Sequence, residues 1–382
     1  MPAIQKPVVI AAYKRTPFTR AYKGDLSGVR PDEFTAQLIT ALVKESKIAK
    51  KDIEDLIVGC AFPEAEQGFN IGRLIGFLSK LDVRTAGMTL NRFCGSSMQA
   101  IHIAAGNLQM GAGDAYICAG VESMSLVPMT GHNPLPHPDL YETYPQAYIG
   151  MGETAENVAK KYKIDRERQD AFGLQSQQRA AAAQKKGAFK QEIAPIKNGK
   201  AVISTDGTIR PDATLEGLAN LDPAFDKNGT VTAGTASPLT DGASAVLVTT
   251  QDYAEKNNLD VLARIKSVAV AGCQPEIMGI GPISASRKAL ERAGIGVDDL
   301  DVAELNEAFA AQSLAVIDEL GLDEKKLNID GGAIALGHPL GASGARITGK
   351  AAQLLKREKG TYGLATMCIG GGQGIATVLE AV

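Results

Sequence analysis

The sequence predicts an α/β protein built from one helix-and-strand unit that occurs twice. Helical patterns alternate along the chain with short, nearly continuous apolar runs, which are typical of strands buried on both faces of a sheet. Two segments in the first third of the chain also resemble two segments near its end. The 382 residues are too many for one ordinary hydrophobic core, so we expect two or three structural units.

The duplication is visible in two pairs of segments. The stretch DIEDLIVGCAF at 52–62 resembles DLDVAELNEAF at 299–309, with an offset of 247 residues. The stretch GSSMQAIHIAAGNLQ at 95–109 resembles GASGARITGKAAQLL at 341–355, with an offset of 246 residues. Because both pairs share nearly the same offset, they indicate a duplicated unit with one internal layout.

Each copy is predicted to follow the order helix, strand, connection, helix, strand. In the first copy, after an initial strand VVIAAY, these elements are DEFTAQLITALVKES, LIVGCAF, MQAIHIAAGNLQMG and DAYICAGVESM. In the second copy they are ISASRKALERAG, DVAELNEAF, ARITGKAAQLLKREKG and YGLATMCIGGG, followed by a further strand IATVLEAV.

An insertion interrupts the first copy. Its composition changes to a Pro-, His- and Tyr-rich loop, two polar helices and a turn-rich stretch, before the sheet resumes near ASAVLVTT. We therefore predict an N-terminal domain over 1–121 and 241–262, an inserted loop domain over 122–240 and a C-terminal domain over 263–382. A long insertion at the rim of an α/β unit usually carries ligand contacts.

Charge and hydropathy exclude several classes of partner. The net charge of −3, from 40 basic and 43 acidic residues, argues against binding to nucleic acid or to an anionic membrane. No apolar run reaches the roughly 18–20 residues of a membrane span. The first residues, MPAIQKPVVIAAYKRTPF, show no signal-peptide pattern.

The cysteines indicate a reducing compartment. There are five of them, an odd number, and they are widely spaced without a CxxC pair, so neither a bound metal nor a redox pair is predicted. In a chain of this size, reduced thiols in the cytoplasm are the expected state. They are Cys60, Cys94, Cys118, Cys273 and Cys368.

Cys94 is the first candidate for chemistry. It stands in NRFCGSSMQA, before small residues and at the entrance of a predicted helix. The positive end of the helix and its unpaired N–H groups favour a thiolate, so we expect a lowered pKa. The same N–H groups could hold an oxyanion. A buried structural cysteine beside a packed turn is the alternative.

Three further candidates come from the second copy. His338 lies in the bare loop GGAIALGHPLGASGAR, Cys368 ends an apolar strand before a glycine run, and Asn306 ends the strand of LNEAFA. A loop histidine and a turn asparagine are the ordinary alternatives. The glycine run precedes a β-branched stretch instead of a helix, which argues against a dinucleotide fingerprint.

The duplication predicts that these residues meet. Equivalent element ends from both halves should converge, since Leu340, two residues past His338, is the repeat counterpart of Cys94. The two helix entrances would then face one cleft. Two thiols, an imidazole and an amide at one cleft suit carbon–carbon chemistry at an acyl thioester.

At this point the sequence resembles the thiolase family along nearly its whole length. Matching stretches occur in the family's order and spacing: NRFCGSSMQA, TVTAGTASPLTDGASA, NEAFA, GGAIALGHPLGASGAR and TMCIGGGQG. The resemblance implies five α-β-α-β-α layers formed by two similar domains, with an inserted loop domain. It also implies the cleavage of 3-ketoacyl-CoA by CoA with ping-pong kinetics, with coenzyme A as a substrate and no permanently bound cofactor.

The resemblance implies roles for the candidates. Cys94 would accept the acyl group, and His338 would take its proton and then polarise a substrate oxygen. Cys368 would be the second acid and base. Asn306 would hold a water that forms one oxyanion hole with His338, and the N–H groups of Cys94 and Gly370 would form the other.

It also implies a coenzyme A site in the insertion. Arg210 would lie near the phosphate-bearing head of CoA. The pantetheine arm would run along a family segment and between two flexible apolar walls. These residues are Ala233, Gly234, Ser237, Met151 and Met278.

Two departures bear on the substrate. Short-chain biosynthetic thiolases usually carry a His where this chain has Gly150, and Ser-Ser-Met after the nucleophile is similar to degradative thiolases. Both favour a broader-chain 3-ketoacyl-CoA thiolase of fatty-acid β-oxidation, with the stretch 128–148 expected to set chain length. The alternatives are a condensing acetoacetyl-CoA thiolase, a decarboxylating ketoacyl synthase and a non-catalytic lipid carrier or scaffold. The family resemblance implies a homodimer or homotetramer, and a β-oxidation multienzyme partner stays open.

Overall fold

The computed structural model of the chain describes residues 6–382. Residues 1–5, which begin the segment without a signal-peptide pattern, lie outside the described residues. The strands are β1 Val8–Arg15, β2 Thr19–Arg20, β3 Ile53–Gly59, β4 Ala86–Leu90, β5 Ala115–Ser123, β6 Ile196–Asn198, β7 Ala201–Ile203, β8 Thr240–Thr250, β9 Ala263–Gly272, β10 Val302–Leu305, β11 Tyr362–Ile369 and β12 Gln373–Glu380. The helices are α1 Pro31–Ser46, α2 Ile71–Leu78, α3 Ser96–Gln109, α4 Pro138–Thr143, α5 Met151–Tyr162, α6 Arg166–Lys185, α7 Leu215–Ala219, α8 Gln251–Lys256, α9 Gly281–Ala293, α10 Ala310–Leu320, α11 Ala333–Leu336 and α12 Leu340–Glu358.

Ten strands form one mixed sheet that consists of two halves. The order is β10-β11-β12-β9-β1-β8-β5-β3-β4, with β2 paired to β8. The two halves join where β1 meets β9, through only two residue pairs, Val9 with Arg264 and Ile10 with Ala263. In each half a parallel pair brackets a central helix: β3 and β5 flank α3 in the chain, and β10 and β11 flank α12. The predicted duplication is therefore confirmed in the topology.

The packing has five layers. One apolar core lies between α1 and the first half-sheet, a second surrounds α3 and α12, and a third lies between the second half-sheet and α9 and α10. α12 contacts strands of both halves as well as α3, so α3 and α12 form the middle layer. This arrangement agrees with the predicted α-β-α-β-α layers.

Glycines let the starts of α3 and α12 approach closely. A Cβ on Gly344 would overlap the backbone nitrogen of Met98 in α3, and one on Gly341 would lie 2.6 Å from the carbonyl oxygen of Val121 in the neighbouring β5. Ala345 N–H donates to Ser97 Oγ across this contact, at 2.8 Å. The predicted meeting of the two helix entrances is therefore confirmed.

Among the element boundaries that differ from prediction, two lie next to candidate residues. The strand predicted over 301–309 ends at Leu305, because the following backbone pairs with the insertion instead: Ser237 N–H donates to Ala308 O, and Ala310 N–H donates to Thr235 O. The helix predicted from 345 begins at Leu340, just after Pro339.

The insertion leaves the sheet after β5 and returns at β8, and a buried ionic network ties it to the rest of the chain. Arg15 of β1 donates to Glu192 at 2.7 Å and to both oxygens of Asp206 at 2.6 and 2.8 Å. Lys350 of α12 joins the same Glu192 at 2.8 Å and Asp330 at 2.7 Å. Within the described residues, no helix is both long and apolar enough to cross a membrane.

Candidate active site

Cys94 stands in a tight turn at the start of α3. A short 3-10 turn, Phe93–Gly95, precedes the helix, and Phe93 has a left-handed backbone with φ of 43°. Ser96 holds this turn, since its hydroxyl donates to Phe93 O at 2.6 Å and accepts from Arg92 N–H at 2.8 Å. The Cys94 thiol is thereby fixed at the mouth of the helix.

The Cys94 sulfur accepts two backbone N–H groups, yet its pKa is raised. The donors are the N–H of Gly370 and the N–H of Cys94 itself, and both lower the pKa. Burial has the larger effect and raises the pKa to about 11, with a smaller contribution from the Glu122 carboxylate. The predicted low pKa is therefore wrong for the resting site, because the helix-end argument ignored the apolar packing around the sulfur, which includes Leu340. Activation of this thiol requires a base.

His338 has the protonation state that a base needs. Its Nδ1 lies 2.5 Å from Ser343 Oγ, and that hydroxyl donates its single proton to Pro339 O at 3.0 Å. With that proton on Pro339 O, Ser343 Oγ accepts from Nδ1–H and Nε2 keeps a lone pair, a tautomer that also suits the amide donor Asn306 Nδ2 at 3.4 Å from Nε2. Burial, and secondarily the Arg346 cation, lower the pKa of His338 to about 3, so the resting imidazole is neutral.

Asn306 lies beside the basic nitrogen of His338. Its Nδ2 is 3.4 Å from His338 Nε2, and its backbone N–H donates to Thr366 O at 3.0 Å. The side chain is fully buried, and its Oδ1 has no partner among the described residues. A buried acceptor without a partner is a place where a water or substrate donor is expected.

Cys368 is the second thiol of the site. It lies near the end of β11, opposite Gly374 of β12, and is 1% exposed. Burial raises the pKa of this thiol well above its usual range, and the nearby Cys94 raises it further. Cys368 is therefore a protonated thiol at rest, placed to give a proton.

Two methionines border the thiols. A Cβ on Gly370 would lie 3.6 Å from the sulfur of Met151, and Met278 shares an apolar cluster with Cys368. The stretch 128–148, predicted to set chain length, is mostly exposed. Its Tyr144 lies beside Glu276, within the turn that carries Met278.

A cavity of about 310 Å³ opens in the insertion. The predicted coenzyme A residues Arg210, Ala233 and Gly234 line it, together with Ala236 and Pro238 on either side of Ser237. The Arg210 side chain is exposed, and its backbone N–H donates to Gln177 Oε1 at 2.7 Å. An exposed guanidinium at the rim of a cavity suits a phosphate.

One segment connects this cavity to the thiols. Ala236 lines the cavity and also packs in the cluster that contains Cys368. Ser237 next to it is bound to the chain just after Asn306, through its N–H to Ala308 O at 3.0 Å. A ligand lying along 233–237 would therefore run from Arg210 towards Cys368.

Three residues were not found from the sequence. Ser343 fixes the tautomer of His338, Gln177 holds the backbone at Arg210, and Glu122 accepts the N–H groups of Ala61 and Gly341 at 2.9 and 2.8 Å. Ser343 lies in the GASG stretch, five residues beyond His338. A hydroxyl side chain this near in sequence to a candidate histidine was the signal that could have indicated its role. Nothing in the local sequence marks Gln177.

Comparison with known proteins gives consistent matches. A family model described as thiolase, N-terminal domain, matches residues 8–252, and one described as thiolase, C-terminal domain, matches residues 259–381. A 3-ketoacyl-CoA thiolase of Bacillus subtilis (strain 168) is 46% identical, covering 98% of this chain and 99% of its own. A 3-ketoacyl-CoA thiolase of Shewanella frigidimarina (strain NCIMB 400) is 50% identical, covering 99% of this chain and 100% of its own.

The fold is similar to that of a solved structure as well. Human mitochondrial 3-ketoacyl-CoA thiolase in complex with CoA superimposes with a TM-score of 0.92 at 40% identity, covering 100% of this chain and 99% of that one.

Proposed function

Because the chain belongs to the thiolase family, and is therefore an acyltransferase, we propose that it cleaves 3-ketoacyl-CoA with CoA. The products are acetyl-CoA and an acyl-CoA shortened by two carbons, as in fatty-acid β-oxidation. One observation carries the assignment of roles. The neutral imidazole of His338 has its proton on Nδ1, and the thiols of Cys94 and Cys368 are both protonated, at the end of the segment 233–237 that starts at the cavity of the insertion.

The first half-reaction forms an acyl-enzyme. The Cys94 proton passes to His338 Nε2, and the sulfur attacks the C3 carbonyl of the substrate. The N–H groups of Cys94 and Gly370, which already point at the sulfur, hold the oxyanion that forms there. The C2–C3 bond then breaks, its electron pair goes to C2, and C2 takes the Cys368 proton to give acetyl-CoA.

A second oxyanion hole serves the departing group. As the C2–C3 bond breaks, negative charge develops on the thioester oxygen of the leaving acetyl-CoA. The protonated His338 and a water on the unpartnered Asn306 Oδ1 would stabilise that oxygen.

The second half-reaction reverses the roles of the groups. The Cys368 thiolate takes the proton of the incoming CoA thiol, and the CoA sulfur attacks the acyl carbon on Cys94. The C–S bond to Cys94 breaks and its sulfur recovers the proton from His338. The acyl group rests on the enzyme between the two steps, which is a ping-pong scheme.

The inserted domain is the proposed site for CoA, which is a substrate here; no permanent cofactor is assigned. Arg210 would bind the phosphate-bearing head, Ala233, Gly234 and Ser237 would line the arm, and Met151 and Met278 would flank its thiol end. The support is the cavity and the continuous segment from its wall to the Cys368 cluster. The CoA complex of the human structural match supports the same ligand for this fold.

The deciding experiment is a chain-length profile of thiolysis. Assays on C4 against C8–C16 3-ketoacyl-CoA should show turnover across the longer chains. A strong C4 preference without long-chain activity would instead support the second candidate, an acetoacetyl-CoA thiolase working in the condensing direction. Full turnover in Cys94→Ser would refute the acyl-cysteine mechanism, whereas an absence of thiolysis on every chain length would favour the non-catalytic carrier.

The remaining proposals concern assembly and location. Within the described residues β4 pairs only with β3, and exposed large side chains including Phe69 (93%) and Val83 (72%) lie beside this edge, which supports a homo-oligomer, as a dimer or tetramer. Five free thiols support a cytoplasmic location. A β-oxidation multienzyme partner is compatible with this role. Light scattering, and co-purification from cells grown on fatty acids, test these proposals.

A further inference from the structure

A buried ion pair lies close enough to His338 to act on the charge of its imidazole. Arg346 Nη1 donates to Glu304 Oε2 at 3.0 Å, and both side chains are at most 1% exposed. Arg346 is one turn along α12 from Ser343, which holds His338, and Glu304 is two residues before Asn306. The pair therefore joins the two elements that carry the base and its amide neighbour.

The pair is absent from the other copy of the repeat. By the two offsets, Glu304 corresponds to Ile57 and Arg346 to Ala100. Both counterparts are fully buried in the same central core and carry no charge. The repeated unit thus packs well with apolar side chains at these positions, as buried ion pairs are often replaceable by apolar residues without loss of stability. A charged pair only in the copy that holds the imidazole indicates a role in the chemistry.

The pair is also incompletely bonded. Arg346 Nε and Nη2 and Glu304 Oε1 are buried and have no partner among the described residues. Among the described residues, the single hydrogen bond to Glu304 is thus the contact that neutralises the Arg346 cation. The Arg346 cation acts on His338, where it disfavours the imidazolium. An isolated cation there would oppose the proton transfer from Cys94.

We propose that Glu304 and Arg346 are a positioning pair for His338: Arg346 ties α12 to β10, and the Glu304 carboxylate offsets the Arg346 cation so that the imidazole can accept the Cys94 proton. The inference rests on the proposed role of His338 as the base. Neither residue is assigned a contact with substrate.

The charge state of Glu304 makes the proposal measurable. Burial raises the pKa of Glu304 to about 7, against the opposing effects of Arg346 and Lys350. Above that value the carboxylate is charged and offsets Arg346, whereas below it the cation is uncompensated. The rate of Cys94 acylation should therefore fall as pH drops through about 7. The groups that face Glu304 are Arg346, Lys350, Asp330, Glu307 and Tyr13.

The test measures acylation of Cys94 by acetyl-CoA, in single turnover and against pH, in the full-length protein. Glu304→Gln should lower the rate at pH 8 by about tenfold, the factor for one pKa unit of imidazole basicity, and should remove the acid limb near pH 7. The double variant Glu304→Gln/Arg346→Gln removes both charges and should recover most of the acylation rate. Because it leaves no unpaired buried charge, it should fold even if Glu304→Gln alone does not. Asp206→Asn is the matched control, because it removes another buried carboxylate paired with one arginine, Arg15, which does not face Glu304, and it should leave the acid limb in place.

The outcomes separate this inference from the proposed function. An unchanged acid limb in Glu304→Gln, or a double variant no faster than the single one, would reduce the pair to a packing element. If His338→Ala kept the wild-type acylation rate, the proposed function itself would fail. If His338→Ala lost activity but Glu304→Gln kept the wild-type pH profile, the inference about the pair would be overturned and the proposed function would stand.

Discussion

Replacing Ser343 by Ala tests whether the tautomer of His338 is fixed by one hydroxyl. In the resting site Nδ1–H donates to Ser343 Oγ, and Nε2 is left free to accept the thiol proton. Ser343→Ala removes the acceptor and leaves Nδ1–H in a site where His338 is only 4% exposed. The ring can then adopt the opposite tautomer, whose Nε2 already carries a proton and cannot act as the base.

The expected loss follows from the strength of that hydrogen bond. When Nε2 takes the Cys94 proton, the ring becomes a cation and its bond to Ser343 becomes charge-assisted, worth about 1.5–3 kcal/mol. At roughly 1.4 kcal/mol per factor of ten, Cys94 acylation should slow by about 10–150-fold. The effect should appear in kcat and in the acylation rate, with little change in KM for CoA.

The assay is single-turnover acylation followed by mass spectrometry of the intact protein. Thr348→Val is the matched control, because Thr348 is also buried on α12 and its hydroxyl donates to the carbonyl four residues earlier, Gly344 O, at 2.8 Å. This variant should lose stability without losing the acylation rate. If Ser343→Ala acylated as fast as Thr348→Val, the tautomer argument would be refuted.

Three further variants or conditions probe the other groups of the site. Iodoacetamide alkylation of Cys94 should rise with pH to a midpoint near 11, since burial raises its pKa to about 11 and half of the thiol is ionised at that pH; a midpoint below about 8.5 would instead restore the helix-end argument. Cys368→Ala should still form the acyl-enzyme from acetyl-CoA but lose overall thiolysis, and retained activity with a malonyl thioester would indicate a decarboxylating synthase instead. Arg210→Ala should raise KM for CoA about tenfold or more with kcat nearly unchanged, whereas the exposed Arg84→Ala should change neither.

The elements of the fold were predictable because hydrophobic periodicity and internal repetition can be read directly from the order of residues. The duplicated unit, the helices α3 and α12 and the packing of Cys94 against Leu340, two residues past His338, all follow from them. The end of β10 was not predictable, because the insertion captures the backbone after Leu305 through contacts with a segment about seventy residues earlier in the chain.

The electrostatics of the site depended on contacts that the sequence does not display. The pKa of Cys94 was predicted in the wrong direction, since a helix-end rule contains no information on burial. The Glu304–Arg346 pair joins residues 42 positions apart in the sequence, and the ion pair between Arg15 and Asp206 joins residues 191 positions apart. Such pairs become visible only when the two halves and the insertion are assembled.

The enclosure of α12 has a consequence for how the protein is made. Every residue of this helix from Leu340 to Ala352 is buried, so the rest of the chain encloses the helix on all sides. As the nascent chain leaves the ribosome, α3 and the first half-sheet emerge long before their covering helix, and their apolar surface stays open to other chains. The arrival of α12 closes that surface and delivers His338 in the same event. We therefore expect a truncated chain that lacks α12 to aggregate and to be inactive.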